Sequence, residues 1–312
     1  MEDHVPEVLA LRALKLGDLL VAVPALRALG RAFPDHRITY AAPAWLAPVV
    51  ELVGGIDLVD TPGLDVPIAR AKGEVDVAVN LHGNGEQSRA RIDALGARRV
   101  IAHGSESQPG PRWAEGVHER ERWCRLLEWH GIPADPRDLL LRPPARRTEV
   151  PGAAVVHPGA AHGSRHWPVE RFAQVARRLE RSGHTVVVTG SAGERERALA
   201  VAEAAGLGAG SVAAGQLGLD RFAALVADAR CVVSADTGAA HLASAYGVPS
   251  VVLFGPATPA AWGPPPGPHR VLTHPGVRVG DVFAEQPDPA LLAVTTEEVL
   301  DALAGLGVFS VG

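Results

Sequence analysis

A chain of 312 residues exceeds what one hydrophobic core ordinarily serves, so two domains are expected. With 47% hydrophobic and 21% charged residues it is globular in composition, and its net charge of −5, spread without long basic runs, argues against nucleic acid and for a small-molecule partner. No apolar stretch approaches the roughly 20 residues that span a bilayer, and Met1-Glu2-Asp3-His4 lacks the basic start of a signal peptide, so a cytoplasmic protein is expected.

In chain order, the β-like run Val8 to Leu14 leads through Leu16-Gly17-Asp18 into a helix marked by Leu19, Leu20, Val23, Leu26, Leu29 and Phe33 at three- and four-residue spacing. Strand 37–41, helix 45–53, strand 57–60, strand 75–82, helix 86–95 and strand 99–102 follow. Continuous apolar runs separated by helices indicate a parallel sheet covered on both faces. A helix over 117–129 closes this half, and the proline-containing segment Arg142 to Thr148 is the candidate linker.

The second half repeats the alternation. Strand 153–157, helix 168–181, strand 185–189, helices 194–205 and 219–229, strand 231–235, helix 237–245 and strand 250–254 are expected. A proline-rich loop, Gly263 to Pro268, comes next, and a helix over 296–306 ends the chain with Glu297 and Glu298 at the positive end of its dipole. Cys124 and Cys231 lack metal-ligand spacing and are expected to be core residues.

Three segments could carry chemistry. In Ser234-Ala235-Asp236-Thr237-Gly238-Ala239-Ala240-His241, a buried strand runs into a helix that starts with small residues. Free N–H groups of a first helical turn attract anions, and small side chains let a diphosphate approach; alternatively Asp236 or Thr237 merely caps the helix. In His157 to Pro168, a strand end and glycine loop place Arg165 at the carboxyl edge of the sheet, where a guanidinium holds pyrophosphate or simply stays exposed. His157, His162 and His166 lack the Cys or acidic company of a zinc site, so no metal is expected. In Lys15-Leu16-Gly17-Asp18, Asp18 is either a helix cap or a base. Asn80-Leu81-His82-Gly83-Asn84-Gly85 offers polar groups at another strand end, as loop or as site.

Rival motifs are missing: there is no phosphate loop of the Gly-Lys-Ser/Thr type, no clean Gly-x-Gly-x-x-Gly after a strand, and no Gly-x-Ser-x-Gly elbow. No two aspartates are separated by one residue, so a metal-binding Asp-x-Asp is absent and metal-independent chemistry is expected.

Leu16-Gly17-Asp18-Leu19-Leu20 with Pro24-Ala25-Leu26, then Arg165-His166-Trp167-Pro168, then Asp236-Thr237-Gly238 with His241, and Phe254-Gly255-Pro256 follow one another in an informative order. Together they resemble family 9 glycosyltransferases, the ADP-heptose heptosyltransferases of lipopolysaccharide synthesis and their relatives. The resemblance implies a GT-B fold of two Rossmann-like doubly wound domains with an interdomain cleft. Residues 1–147 would form the acceptor domain and 148–312 the nucleotide-sugar domain, its last helix packing back on the first.

It further implies Asp18 as catalytic base and a sugar-donor site drawn from Lys15, Gly17, Arg165, Gly190, Glu194, Leu217, Asp236, Thr237, Gly238, Ala239 and His241. Glu194 would bind ribose, Leu217 would flank the base, and His82 and Asn84 would meet the acceptor. Two departures stand out: Ala160 and Ala161 replace phosphate-contacting threonines of some relatives, and Arg165 replaces a lysine.

The implied reaction is an inverting, metal-independent transfer of a sugar, a heptose from ADP-heptose, to a hydroxyl of a glycan or small molecule. No cofactor is implied, a monomer is expected, and a lipid-linked acceptor would bring the chain to a membrane surface. A nucleotide-sugar epimerase of GT-B-like fold and an inactive nucleotide-sugar-binding scaffold are the competing readings.

Overall fold

A computed structural model describes residues 5–106 and 108–309; the opening Met1–His4 segment, on which the expectation about a leader rests, lies outside them. The chain divides into two compact units, Met1–Arg142 and Pro143–Gly312, so the division falls at the start of the expected linker rather than after residue 147.

In the first unit the elements are β1 (Glu7–Leu11), α1 (Leu16–Ala32), β2 (Arg37–Ala42), α2 (Ala47–Val53), β3 (Asp57–Asp60), β4 (Val77–Asn80), α3 (Glu86–Ala94), β5 (Arg99–Ile101) and α4 (Glu119–Trp129). The strands form one parallel sheet in the order β3-β2-β1-β4-β5. Leu9, Leu11, Ala78 and Ile92 meet in a core cluster here, and α1 turns Leu19, Val23, Leu26 and Leu29 inward, as its spacing predicts. The strand expected over 75–82 pairs only from Val77 to Asn80, because His82 to Gly85 turns away to start α3.

The second unit contains β6 (Ala154–His157), α5 (Val169–Arg181), β7 (Val186–Val188), α6 (Arg195–Ala205), α7 (Leu219–Ala227), β8 (Cys231–Ala235), α8 (Gly238–Tyr246), β9 (Ser250–Leu253), α9 (Pro259–Trp262), β10 (His269–Leu272), α10 (Pro289–Leu292) and α11 (Thr296–Gly305). Its sheet is parallel in the order β10-β9-β8-β6-β7. Both units are therefore doubly wound α/β sheets, as expected. The edge strand β10 was not foreseen: it follows the proline-rich loop and pairs on one side only. The last helix, α11, buries Val299 and Leu303 in the second unit's core with Phe172 and Leu179, and its start is closed by a capping box between Thr295 and Glu298.

Each sheet has a switch point, where consecutive strands stop adding to one edge and begin on the other. In the first it lies between β1 and β4, in the second between β6 and β8. Open α/β sheets bind ligands beyond the carboxyl ends of the two strands at that point. All three candidate segments and the His82 loop start there. Among the described residues no helix is long and apolar enough to cross a membrane.

Candidate active site

At the end of β8, Asp236 is buried and its carboxylate lies 3.6 Å from His241 Nε2. Thr237 is extended and stands at the N-cap of α8, yet neither it nor Asp236 caps the helix. Thr237 Oγ1 is buried without a partner, and so is Ser234 Oγ one turn of strand earlier. The bland reading of this segment as a capped helix start therefore fails. Buried hydroxyls without partners cost about 1–3 kcal/mol each, so two of them in the segment that opens an uncapped helix make it a candidate ligand site. Gly238, Ala239 and Ala240 put no bulk in front of the first-turn N–H groups.

Arg165 closes this corner. It ends a tight 3₁₀ turn, Gly163–Arg165, and its Nη1 donates to Asp236 O at 3.4 Å while its Nε is buried and unpartnered. The turn is held from behind. Ser164 is fully buried, its amide donates to Ala284 O at 2.9 Å, its hydroxyl donates to Val282 O at 2.9 Å, and its carbonyl accepts from Asp288 N at 3.0 Å. A Cβ on Gly163 would stand 1.6 Å from Glu285 O, so only glycine fits there.

Beyond β7, Glu194 accepts from Ser191 N at 2.6 Å in a capping box that opens the turn into α6. Its carboxylate lies against Gly159, where a Cβ would come within 2.3 Å of it, and its stem passes Gly190. The two glycines thus bring the loops after β6 and β7 together around Glu194. His157, at the end of β6, shares a hydrogen bond with Thr189 Oγ1 at 3.0 Å. Burial pushes its pKa down, against the attraction of Glu194, so the imidazole is neutral at neutral pH. His166 meets Ala160 O at 3.2 Å and His162 packs on Phe283, so the three histidines serve separate contacts. Leu217 is half-buried in the loop before α7.

In the first unit Asp18 sits in the first turn of α1, where its Oδ2 accepts from Lys15 N at 3.3 Å. It is thus partly the cap that its position suggests. Its other oxygen has a stronger partner that the sequence reading missed: Arg12, 1% exposed, donates from Nη2 to Asp18 Oδ1 at 2.8 Å and from Nε to Asp18 O at 2.8 Å. A charged residue at the end of the otherwise apolar run Val8 to Leu14 was the available signal. Lys15 is exposed and Gly17 half-buried in the same turn; both belong to the first unit, whereas the other residues expected at the donor belong to the second.

His82 is half-buried with its Nδ1 unpartnered, its pKa lowered first by burial and then by Arg12, against the pull of Asp18. It therefore shares the neighbourhood of Asp18. Asn84 is turned toward α3, accepting from Arg89 Nη2. Further missed residues surround them: Trp123 lies under Arg12 with 4.7 Å from guanidinium to ring centroid, and His103 contacts both Trp113 and Trp123 edge-on.

Residues 130–272 match the profile of glycosyltransferase family 9 (heptosyltransferase). Lipopolysaccharide heptosyltransferase 1 of Pseudomonas aeruginosa is 34% identical over 185 residues, 57% of this chain and 51% of that protein. The chain thus matches about half the length of this curated relative. Among solved structures, a glycosyl transferase family 9 protein from Veillonella parvula superposes with a TM-score of 0.76 at 23% identity, covering 98% of each chain. The E. coli heptosyltransferase WaaC, solved with ADP, gives a TM-score of 0.71 at 20% identity over 96% of this chain and 99% of its own. The two doubly wound units are thus the GT-B fold of these proteins. The segment that runs from the end of α4 to β10 is thus similar to glycosyltransferase family 9.

Proposed function

We propose that this protein is a glycosyltransferase that moves a heptose from ADP-heptose to an acceptor hydroxyl, with inversion and without a metal. The observation that carries the reading is the set of unspent polar atoms, Ser234 Oγ, Thr237 Oγ1 and Arg165 Nε, around the uncapped start of α8. The match to glycosyltransferase family 9 and the ADP in the WaaC structure support a nucleoside diphosphate as the ligand that satisfies them.

The diphosphate would lie against the N–H groups of Gly238 and Ala239, with Arg165 on its charged oxygens, Asp236 and His241 toward the sugar, and Glu194 on the ribose. Asp18 takes the proton of the acceptor hydroxyl, its oxygen bonds to the anomeric carbon, and the bond from that carbon to the diphosphate breaks with its electron pair leaving on ADP. The positive charge that stabilises the leaving group comes from Arg165 and from helix N–H groups, which makes a metal unnecessary. The acceptor is a glycan or a small molecule bound near His82, and the protein acts as a monomer; a lipid-linked acceptor would draw it to a membrane surface.

A thermal-shift comparison of ADP, GDP, UDP and TDP tests the base, because a ligand of the folded state raises its melting temperature with occupancy. ADP should give the largest rise. Incubation with ADP-heptose in EDTA, with and without candidate acceptors, then tests the reaction. Isomerised donor in the absence of any acceptor would replace transferase by epimerase, and binding without turnover toward any acceptor would leave a scaffold.

A further inference from the structure

Arg12 is the most buried cation of the first unit, and each of its guanidinium nitrogens has a partner. Nε donates to Asp18 O at 2.8 Å, Nη1 to Leu81 O at 2.5 Å, and Nη2 to Asp18 Oδ1 at 2.8 Å, with Glu119 Oε2 3.6 Å from Nη2. Its plane lies over Trp123 at 4.7 Å, and its own carbonyl accepts from Tyr40 OH at 3.2 Å. Glu119 in turn accepts from Arg122 Nε at 2.7 Å, so two guanidiniums alternate with two carboxylates and the cluster carries no net charge.

A buried arginine needs its charge balanced, which Glu119 would do, and its N–H groups bonded. This one spends two of its nitrogens on Asp18, one on the main chain and one on a single carboxylate oxygen, while a third fixes the end of β4 next to His82. Asp18 Oδ1 is thereby occupied, and Oδ2 keeps only the long contact to Lys15 N at 3.3 Å. With its side chain 23% exposed, Asp18 has one locked oxygen and one oxygen left for a partner.

We propose that Arg12 is the positioning residue of the reaction: it locks Asp18 through Oδ1 so that Oδ2 receives the acceptor proton. This rests on the transferase reading above and adds the residue that makes Asp18 directional. A lysine cannot replace it, since one ammonium does not reproduce a planar fork that holds a carboxylate, a helix carbonyl and a strand end together.

The test is a double-mutant cycle on Arg12→Lys, Arg12→Gln, Asp18→Asn and the two pairs, with kcat, donor KM and ADP affinity measured for each. Folding is scored by the ADP-induced thermal shift. The expected result is a fall in kcat of about tenfold or more in Arg12→Lys, with ADP affinity within about twofold of the parent. In the Asp18→Asn background the same change should move residual turnover by less than about twofold, because the group it positions has gone. Equal losses in both backgrounds, a loss shared by ADP affinity, or failure of both Arg12 variants to fold would assign Arg12 to the core alone and overturn the proposal. A parent chain that transfers no sugar would sink the transferase reading and this one with it, whereas an active parent with unchanged Arg12→Lys turnover would sink this one only.

Discussion

Arg165 Nη1 donates to the main-chain carbonyl of Asp236 at 3.4 Å while its Nε, buried, has no partner. One side chain thus ties the loop after β6 to the turn after β8 and still has bonding capacity to spend. A charge-assisted hydrogen bond contributes about 1.5–3 kcal/mol, more than the roughly 0.3–1 kcal/mol of a helix dipole acting on an exposed charge, so Arg165 should dominate diphosphate affinity. Arg165→Ala is expected to weaken ADP binding about 10- to 100-fold by calorimetry, and Arg165→Lys by less, since charge survives but the fork does not. An ADP affinity unchanged in Arg165→Ala would remove this residue from the donor site.

Asp18 should separate from Arg165 in the opposite way. Asp18→Asn keeps the shape and a hydrogen-bonding oxygen for Arg12 but gives up the ability to take a proton. General-base contributions run at about 10²- to 10⁴-fold, so kcat should fall within that range while ADP affinity stays within about twofold. Transfer at near-parental rate by Asp18→Asn would leave Asp18 as a helix cap only.

The strands at the two switch points were readable because buried parallel strands are short apolar runs, as in Val155-Val156 and Cys231-Val232-Val233, and the loops after them followed directly. What sequence could not supply was direction. Thr237 has the residue type and place of an N-cap, yet its hydroxyl is left without a partner, which only coordinates reveal. Arg12 finds Asp18 six residues on but also Leu81 and Glu119, partners far along the chain that no local pattern names. The edge strand β10 escaped because a strand paired on one side need not be apolar, and the prolines before it read as loop.

Two glycines near the proposed donor site should respond differently to alanine. At Gly159 the added Cβ meets the Glu194 carboxylate at 2.3 Å, a side-chain end that can swing away; at Gly163 it meets the main-chain carbonyl of Glu285 at 1.6 Å, which cannot. Gly159→Ala is expected to keep its melting temperature within about 2 °C but to lose ADP affinity to the same extent as Glu194→Gln. Gly163→Ala, an overpacking change worth about 1–3 kcal/mol, should lower melting by several degrees before any effect on binding is considered. Parental ADP affinity in Gly159→Ala would show that Glu194 can leave its place at no cost to the nucleotide.

His103 gives the first unit a pH dependence that can be isolated. It is 5% exposed, and burial, with Arg122, His130 and Arg89 nearby, pushes its pKa down to about 4. In the unfolded chain an imidazole titrates near 6.5. Above that value His103 is neutral in both states and contributes no slope. Between about 6.5 and 4 the unfolded chain binds a proton that the folded chain refuses, so stability falls as pH falls, by up to about 3 kcal/mol over the window. Below about 4 both states are protonated and the loss stops growing. His103→Phe retains a ring against Trp113 and Trp123, whose centroids lie 5.0 and 5.9 Å away, but cannot titrate. Urea unfolding of both proteins at pH 7 and pH 4.5 should therefore show a smaller drop in the variant, while the carboxylates elsewhere affect the two alike. Identical drops would mean that His103 takes up its proton in the folded state, and that its burial between the tryptophans does not oppose the charge.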